Sequence, residues 1–508
     1  MWAGARLAVR GCSRWGGRAV GGPGPSWSRW LHASPSAASN EAVIAVGSNL
    51  GSRAKNIWSG LNALASRGDA EVLQYGGLYE TKPAYFDDQG DFLNTAVLVR
   101  TDLQPLDLLD ALKGIEASSG RDLDGGGVRF GPRTLDLDIV FFGSGDFDDE
   151  RLAIPHPRWR ERAFVLAPLA DLEPAGGGAC SERLAEAKRA WSDLGGEAAI
   201  GGDDIRRVTP IGSNKVASFH SKSHVMGILN VTPDSFSDGG LFETRARCLE
   251  RCHEMVLNGA DIIDVGGQST RPGADLVPPE EEAERVLPII EAIKADPDLA
   301  SKALVSVDTF HSKVARLAVN AGADIVNDVT AGAFDEAIID VVAESATPYV
   351  MMHMRGGPKT MQSKENTTYG DGGLVPTIAR ELGDRVELAV RSGLMPWCVI
   401  TDPGIGFAKT HAQNLELLSS LRSLRQSFEP TFLRKQPMLV GPSRKGFLGV
   451  VAGRPDPKDR DAATSAALVI AAANECNIFR AHNVTYAADA LKVADAVSAA
   501  GAVGGRNQ

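Results

Sequence analysis

The stretch VMGILNVTPDSFSDGG, residues 225–240, joins a short apolar segment to a loop that is rich in glycine, proline and aspartate. Seven similar apolar segments follow it, and helix-length amphipathic stretches separate them. The eight predicted strands are VMGILN (225–230), IIDVGG (262–267), LVSVDT (304–309), DIVNDV (324–329), YVMMHM (349–354), CVITDP (398–403), MLVGPS (438–443) and IFRAHN (478–483). Eight strand–helix units in roughly 250 residues predict an α/β TIM barrel of the (βα)8 type.

Polar side chains gather at the carboxyl ends of these predicted strands. An ordinary change from strand to loop would account for a few such endings, but not for all eight. Because barrel enzymes build their active sites at this end, the pattern predicts a site at the barrel mouth. The residues concerned are Asn230, Asp264, Asp308, Asn327, Asp328, His353, Asp402, Ser443, Arg480 and His482.

The chain before the barrel shows a different order of elements. From Ala42 onward the order is βαββαβ, which is typical of an α+β ferredoxin-like sandwich. The predicted elements are a strand at 42–47, a helix at 53–65, strands at 72–81 and 92–100, a helix at 105–118 and a strand at 135–142.

The segment between the two patterns is dominated by glycine, alanine and charged residues, which favours a linker with one possible helix at 181–194. We therefore predict four parts along the chain. They are a targeting segment at 1–40, a first domain at 41–174, a linker at 175–222 and a barrel domain at 223–502.

The first forty residues contain arginine, serine and glycine but no acidic residue before Glu41. This composition is typical of an organelle transit peptide, and a disordered tail is the alternative. The regular spacing of the arginines favours the mitochondrion, and hence its matrix, over the plastid, with the cytosol as a further alternative. These arginines are Arg6, Arg10, Arg14, Arg18 and Arg29.

Charge and hydropathy restrict the possible partners. Acidic residues outnumber basic ones by 64 to 53, which argues against a nucleic acid. No stretch approaches the roughly 18 consecutive apolar residues that a membrane span requires. The six cysteines include no C-x-x-C pair, so we expect reduced, packed cysteines. Small molecules remain as the expected ligands.

The segment GPRTLDLDI, residues 131–139, carries two carboxylates on one predicted strand. Asp136 and Asp138 are two residues apart, so their side chains point to the same face of a sheet. An isolated D-x-D is more often a pair of solvated acids. Here arginines flank the pair in an acidic chain, which favours a polyphosphate bound with Mg²⁺. The flanking basic residues are Arg121, Arg129, Arg133, His156, Arg158 and Arg162.

Five short motifs follow one another in the first predicted domain. They are GSNLG (47–51), Glu80-Thr81, FLN (92–94), GPRTLDLDI (131–139) and IPHP (154–157). In this order they resemble 6-hydroxymethyl-7,8-dihydropterin pyrophosphokinase. The resemblance implies transfer of a whole diphosphate from ATP to the pterin alcohol, with release of AMP. No P-loop motif G-x-x-x-x-G-K-[ST] occurs in the sequence, so the nucleotide must be held in another way.

The same resemblance implies roles for individual residues. Asp136 and Asp138 would bind two Mg²⁺ ions, and Arg121 and Arg133 would act on the phosphates. The ATP-binding set is Arg129, Arg133, Ile139, His156 and Arg162, and the pterin-binding set is Thr81, Pro83, Phe92, Asn94 and Phe164. The glycine-rich stretch at 122–132, with Leu123 in place of a usual arginine, suggests a mobile lid over ATP.

Seven motifs follow one another along the predicted barrel. They are MGILNVTPDSFSDGG (226–240), GQSTRPG (267–273), SVDT (306–309), NDV (327–329), TDPGIGF (401–407), SRKGF (443–447) and RAHN (480–483). Over nearly the whole predicted barrel they resemble dihydropteroate synthase. The resemblance implies condensation of the pterin diphosphate with 4-aminobenzoate to give 7,8-dihydropteroate. It also implies a homo-oligomer formed through the barrel.

Residue roles in the barrel also come from this resemblance. Asp308, Asn327, Asp402 and Lys445 would bind the pterin, with Lys445 as a catalytic residue. Thr270, Arg480 and His482 would hold the diphosphate, and Asn230 would contribute to one Mg²⁺. Arg271, Phe407 and Ser443 would surround 4-aminobenzoate. Gln268 and Asn483 differ from residues common in relatives, and we interpret both as tolerated variation.

Two other functions are compatible with parts of this pattern. A methyltetrahydrofolate methyltransferase shares a pterin-binding barrel, but it does not need the STRPG and SRKGF motifs or a kinase-type first domain. A folate-sensing scaffold without catalysis would be expected to lack Asp136, Asp138, Lys445 or Arg480, and all four are present. A bifunctional folate-synthesis enzyme is therefore the favoured hypothesis.

Overall fold

The computed structural model describes residues 40–84, 88–120, 131–173, 177–200, 204–231, 241–269 and 273–504, with the backbone only for 241–244 and 501–504. Three groups of predicted residues lie outside these ranges. They are residues 1–39 of the predicted targeting segment, the loop residues Arg121 and Arg129, and the pair Thr270 and Arg271.

The first domain is built on an antiparallel sheet. Its strands are β1 (Asn40–Ser48), β2 (Ala70–Tyr75), β3 (Tyr79–Thr81), β4 (Phe92–Thr101) and β5 (Asp136–Phe142), and its first two helices are α1 (Arg53–Ala65) and α2 (Pro105–Ser118). The strand order β5-β1-β4, followed by β3 with β2 also on β4, is that of a ferredoxin-like fold. Both predicted helices are confirmed, and the predicted strand at 72–81 is divided at Gly76 and Gly77.

The two faces of this sheet serve different purposes. Leu137 and Ile139 of β5 point into the core that contains α1 and α2. Asp136 and Asp138 alternate with them and therefore point to the other face. That face is partly covered by α3 (Ala163–Ala170) and α4 (Ser181–Asp193), and a small hairpin of β6 (Phe147–Asp149) and β7 (Leu152–Ile154) lies nearby in the chain.

The segment interpreted as a linker contains ordered elements. Its predicted helix is α4, and β8 (Ile205–Arg207) pairs with β3 of the first sheet. Strands β9 (Thr209–Ile211) and β10 (Lys215–Ala217) then form a hairpin. Buried Arg207 makes an ion pair of 2.9 Å with Asp171. Three-residue strands are too short to show a hydrophobic period, which is why the sequence pattern did not reveal them.

The second domain is an eight-stranded parallel barrel. Its strands are β11 (His224–Asn230), β12 (Ile262–Gly266), β13 (Leu304–Asp308), β14 (Ile325–Asp328), β15 (Tyr349–Met352), β16 (Val399–Asp402), β17 (Leu439–Val440) and β18 (Ile478–Ala481). Consecutive strands pair from β11 to β16, and β18 pairs with both β11 and β17. A bridge between Thr401 and Met438 brings β16 to β17, so the predicted (βα)8 barrel is confirmed.

Helices surround the barrel. They are α5 (Leu241–Leu257), α6 (Pro279–Ala295), α7 (Pro297–Lys302), α8 (Ser312–Asn320), α9 (Ala337–Ser345), α10 (Leu374–Arg391), α11 (His411–Ser419), α12 (Leu421–Gln426), α13 (Gly446–Ala452), α14 (Asp461–Ala473) and α15 (Val484–Gly504). None of the helices in the described part of the chain combines the length and apolarity needed to span a membrane. Phe219, from the segment before β11, packs with Met226 and Ile262 in the barrel core.

The first domain packs against the amino-terminal end of the barrel. Trp58 of α1 and Trp397, just before β16, meet edge to face at 6.3 Å between ring centroids, with Tyr75 against both. The indole of Trp58 donates a hydrogen bond of 3.0 Å to the carbonyl of Gly393, and that of Trp397 donates one of 2.9 Å to Gly76. One hydrophobic core therefore continues from one domain into the other.

Candidate active sites

A cavity of about 260 Å³ opens on the face of the first sheet that carries Asp136 and Asp138. It brings together residues from β3, β4, β5 and the start of α3. Nine of the predicted site residues line it, namely Thr81, Phe92, Asn94, Arg133, Asp136, Asp138, His156, Arg162 and Phe164. The fold therefore brings these nine residues together around one cavity.

The two carboxylates of β5 lie on the same side of this cavity. Asp136 forms an ion pair of 2.7 Å with Arg133, and the ammonium of Lys113 lies 4.0 Å from Asp138. Burial, and then the charge of Asp136, raise the pKa of Asp138. A divalent cation would relieve this repulsion, and paired carboxylates are ligands that Mg²⁺ prefers together with phosphate oxygens. The donor set therefore fits the predicted ion.

Two buried polar residues that the sequence did not single out hold the backbone of Leu137 and of Arg133, next to the cavity residues of β5. Glu116 of α2 accepts a hydrogen bond of 2.7 Å from the backbone of Leu137, which ties the carboxylate strand to that helix. Asn49 accepts one of 2.7 Å from the backbone of Arg133 and donates its own backbone N–H to the Arg133 carbonyl at 3.0 Å. The position of Asn49 inside the GSNLG motif is the only signal that could have identified it.

The opposite part of the cavity is apolar with one polar pair. Asn94 donates a hydrogen bond of 2.8 Å to the Thr81 hydroxyl, and Phe92 and Phe164 contribute aromatic rings. At Gly47 a Cβ atom would lie 2.9 Å from the Asn94 side-chain oxygen, so glycine is needed for this approach.

Three other predicted residues surround this region. The guanidinium of Arg162 lies 5.6 Å from the Phe164 ring centroid. The side chain of Ile139 is buried in the core, so only its backbone could contact a nucleotide. Pro83, two residues after Thr81, is half-buried and does not line the cavity.

At the mouth of the barrel, one arginine links carboxylates of two strands. Arg480 at the end of β18 forms ion pairs of 2.6 Å with Asp264 and with Asp308. Asn327 donates a hydrogen bond of 3.1 Å to the same oxygen of Asp264. Burial raises the pKa of Asp308 to about 7, although the neighbouring Arg480 acts in the opposite direction. Residues from four strands thus share one charge network.

A second group at the mouth lies around Lys445. Its ammonium lies 4.4 Å from the ring centroid of Phe407 and donates a hydrogen bond to the carbonyl of Ile405. Burial lowers the pKa of Lys445 to about 7. Buried Asp402 accepts a hydrogen bond of 2.7 Å from the backbone of Gly404, and burial raises the pKa of this carboxyl group.

The loops after β17 and β18 are tied to each other. Ser443 and His482 lie 2.9 Å apart, from the hydroxyl oxygen to Nδ1. Arg444 has a φ of +58°, and Asp461 holds its guanidinium at 2.7 and 2.8 Å. Asp461 also accepts a hydrogen bond of 2.9 Å from Asn483. The motifs SRKGF and RAHN therefore form one structural unit.

Asn230 ends β11, where it is half-buried and opposite Gly266 in the strand register. In the described part of the chain, no group of three or more histidine, cysteine, aspartate or glutamate side chains is arranged to hold a metal.

Lys409 is a functional candidate that the sequence analysis missed, because a lysine just before a helix is normally exposed.

The matches to known proteins agree with this geometry. Residues 43–174 match the family model of 7,8-dihydro-6-hydroxymethylpterin-pyrophosphokinase (HPPK), and residues 226–482 match that of pterin binding enzymes. The mitochondrial folate synthesis bifunctional protein of Arabidopsis thaliana is 47% identical over 470 residues, which cover 90% of this chain and 83% of the relative.

Two solved structures are similar. Dihydropteroate synthase of Yersinia pestis, in complex with a sulfonamide drug, has a TM-score of 0.51 and 34% identity, covering 57% of this chain and 99% of its own. HPPK-DHPS of Plasmodium falciparum, crystallised with pteroate, has a TM-score of 0.64 and 20% identity, covering 91% of this chain and 98% of its own. The second likeness shows that each of the two domains has the fold of the corresponding domain of the Plasmodium protein.

The fold and the two sites define a two-domain transferase that acts on pterins. The chain belongs to the family of bifunctional folate synthesis proteins, and it is an enzyme with a hydroxymethyldihydropterin pyrophosphokinase domain and a dihydropteroate synthase domain.

Proposed function

We propose that the first cavity binds ATP and 6-hydroxymethyl-7,8-dihydropterin side by side. The single observation that carries this proposal is the gathering of nine predicted residues around one cavity. Phe92 and Phe164 would stack on the pterin ring, and Thr81 with Asn94 would meet its polar edge. Pro83 does not line the cavity, and its predicted contact with the pterin would be made from outside the lining residues.

The polar side of the cavity would hold the nucleotide. Arg133, Arg162 and His156 would bind the phosphates and the adenosine, together with the backbone of Ile139 and with Arg121 and Arg129. Asp136 and Asp138 would hold two Mg²⁺ ions, which would neutralise phosphate charge. The pterin hydroxyl oxygen attacks the β-phosphorus and loses its proton to solvent, the bond from that phosphorus to the α-phosphate oxygen breaks, and AMP leaves.

In the barrel, the proposed reaction joins the pterin diphosphate to 4-aminobenzoate. The aryl amine attacks the exocyclic carbon, the bond from that carbon to diphosphate breaks, and the amine loses a proton. The residues act by position and charge rather than as a nucleophile. Asp308, Asn327, Asp402 and Lys445 would bind the pterin, while Phe407, Ser443 and Arg271 would surround 4-aminobenzoate.

Diphosphate would leave toward Arg480, His482 and Thr270. The Arg480 guanidinium has five N–H donors, and its two ion pairs with carboxylates are each made through one nitrogen, so it can still face an anion. Asn230 would contribute to one Mg²⁺ that neutralises part of the diphosphate charge. The chain would thus use three ions, two in the first domain and one in the second.

The full chain tests this proposal directly. With Mg-ATP, 6-hydroxymethyl-7,8-dihydropterin and 4-aminobenzoate we expect equal amounts of AMP and dihydropteroate, measured by chromatography. When the pterin diphosphate replaces the pterin alcohol and ATP, dihydropteroate alone should form. Formation of neither product would favour the scaffold function.

The carboxylate pair has its own test. D136A should lower AMP formation by at least about 10³-fold, because one Mg²⁺ ligand is lost. The matched control is D146A, whose side chain is exposed and paired only at the surface with Arg183. Dihydropteroate formation from the supplied diphosphate should be unchanged in both variants. Retained AMP formation in D136A would exclude this metal assignment.

The proposal includes a homo-oligomer formed through the barrel. Exposed apolar side chains lie on three helices that pack near one another, α13, α14 and α15. Such a surface favours association with another apolar surface. These side chains are Val450, Val451, Ile470, Tyr486, Val493 and Val497. Sedimentation should give a mass above that of one chain, and V493E with V497E should reduce it.

We further propose import into the mitochondrial matrix, directed by residues 1–40, with the first domain at 41–174, the linker at 175–222 and the barrel domain at 223–502. The acid-free, arginine-rich composition supports this location, and the Arabidopsis relative is named as mitochondrial. The expected ligands are small molecules, with neither nucleic acid nor membrane as a partner. The mature amino terminus, read by mass spectrometry, should begin near residue 40.

A further inference from the structure

The turn that follows β16, residues 404–409, has an unusual backbone. Gly404, Gly406 and Ala408 all adopt left-handed conformations, with φ values of +70°, +88° and +50°. A non-glycine residue such as Ala408 is strained there, and strained backbone persists only where its surroundings hold it. A Cβ atom at Gly406 would lie 2.4 Å from the Lys445 side chain, so the turn also packs closely on that residue.

The side chain of Lys409, the last residue of this turn, folds back against the turn and is only 2% exposed. Its ammonium donates hydrogen bonds of 3.0 Å to the carbonyls of Gly404 and of Phe407. It also lies 3.1 Å from Nδ1 of His353. Burial lowers the pKa of His353 to about 4, so this imidazole is neutral and its Nδ1 can accept a hydrogen bond from the lysine ammonium.

The remaining contacts form a closed ring around the turn. Nε2 of His353 lies 3.1 Å from Glu381, which holds Arg355 at 2.6 and 2.9 Å. The Arg355 guanidinium lies 4.2 Å from the Tyr369 ring centroid, and the Tyr369 hydroxyl donates a hydrogen bond of 3.0 Å to the Ala408 carbonyl. Side chains therefore donate hydrogen bonds to three carbonyls of the turn, those of Gly404, Phe407 and Ala408.

The turn carries two features of the synthase site. Phe407 lies against the Lys445 ammonium, and the carbonyl of Ile405 accepts a hydrogen bond from it. A change in the turn would therefore displace both the ring predicted beside 4-aminobenzoate and the lysine predicted to bind the pterin.

We propose that Lys409 is a positioning residue for dihydropteroate synthesis, which holds the 404–409 turn so that Phe407 and Lys445 meet their substrates together. The inference rests on the proposed roles of Phe407 and Lys445. Lys409 itself contacts the turn and His353 rather than a substrate.

The alternative is a lysine that serves only overall stability. Lys294 offers the matched comparison, because it is largely buried and forms an ion pair of 2.6 Å with Asp324 at the amino-terminal end of β14. That end of the barrel is opposite the mouth. K294M and K409M should therefore both lower the melting temperature, but only K409M should change the kinetics of the synthase.

The experiment uses the full chain with supplied pterin diphosphate. In K409M we expect KM for both pterin diphosphate and 4-aminobenzoate to rise about tenfold or more, with kcat/KM falling about 30-fold or more. AMP formation should be unchanged, which reports that the first domain is folded. K294M should keep the KM values of the parent. Equal KM values in K409M and the parent would overturn the proposal.

Y369F provides a milder change at the same turn, since it removes only the hydroxyl that binds the Ala408 carbonyl. It should raise both KM values about threefold, and the double variant with K409M should show less than the product of the two effects. Independent, multiplicative effects would contradict a shared role.

K445A separates failure of this inference from failure of the proposed site. If K445A loses most synthase activity while K409M keeps the KM values of the parent, only the role of Lys409 is rejected. Full synthase activity in K445A rejects the proposed pterin site, and the inference with it.

Discussion

The two sites of this chain are assembled in different ways. In the first cavity, two side-chain pairs come from residues close in sequence, namely Arg133 with Asp136 and Thr81 with Asn94, which are 3 and 13 residues apart. At the barrel mouth, Arg480 pairs with Asp264, 216 residues away. The first site depends on the alternation of a strand, while the second depends on closure of the barrel.

The charges differ in a corresponding way. Asp136 and Asp138 lie side by side with incomplete compensation, an arrangement suited to a metal and phosphates that arrive from outside. At the mouth, Arg480 already forms ion pairs with two buried carboxylates. The first site is therefore completed by its ligands, whereas the second is largely preorganised by its own side chains.

The largest effect is expected from R480M. The substitution leaves Asp264 and Asp308 buried without their cation, and breaking such a pair costs about 3–5 kcal/mol. Synthase activity should fall by at least about 10³-fold, while AMP formation persists at a temperature where the variant is folded. Chemical denaturation and the two separate assays measure these changes.

R422M is the matched control for R480M, because Arg422 pairs with Glu475 on the surface and is mostly exposed. It should change neither activity and should alter the free energy of unfolding by less than about 1 kcal/mol. Equal losses of both activities in R480M would mean that the mouth is not independent of the first site.

The next effect tests the contact between the two domains. W397A removes a side chain that is 1% exposed and fills the interface, which should cost about 3–5 kcal/mol. The first domain and the barrel should then unfold in two thermal transitions instead of one, as measured by calorimetry.

W397F keeps most of the packing but loses the hydrogen bond to the Gly76 carbonyl. It should cost only about 1 kcal/mol and retain a single transition. A single transition in W397A would show that the domains do not depend on this contact for cooperative unfolding.

The smallest effect concerns pH and only the synthase. Asp308 and Lys445 both have a pKa of about 7 in the free enzyme. Below that pH Asp308 becomes neutral, and above it Lys445 loses its positive charge, so kcat/KM for the pterin diphosphate should be highest near pH 7. We expect kcat/KM to fall about 25-fold between pH 7 and pH 9, because only about 1% of Lys445 would still carry its proton at pH 9.

K445R should flatten the alkaline side of this profile, because arginine stays protonated at pH 9. A profile that stays unchanged in an active K445R enzyme would assign the alkaline side to another group.

Much of the fold was predictable because its signals are local. The helices at 53–65 and 105–118 and the eight barrel strands follow from hydrophobic periods within single segments. The strand at 72–81 was predicted as one element, yet the chain divides it at Gly76. There a Cβ atom would lie 2.5 Å from the Pro168 carbonyl, an approach that depends on a residue far along the chain.

The residues of the candidate sites were predictable where local spacing along one strand places them. Strand alternation placed Asp136 and Asp138 on one face, and strand ends placed Asp402 and Arg480 at one mouth. Asn49, Glu116 and Lys409 were not identified, because their importance comes from partners on other elements. A buried lysine and an exposed lysine look the same in a sequence.

The sequence by itself determined the two kinds of domain, their order and the motifs that carry the chemistry, since these depend on short-range spacing. Only the tertiary structure decided that the linker adds β8 to the first sheet, and that the first domain packs on the end of the barrel opposite its mouth. These features rest on contacts such as that of Trp397 with Gly76, 321 residues apart, which no local pattern encodes.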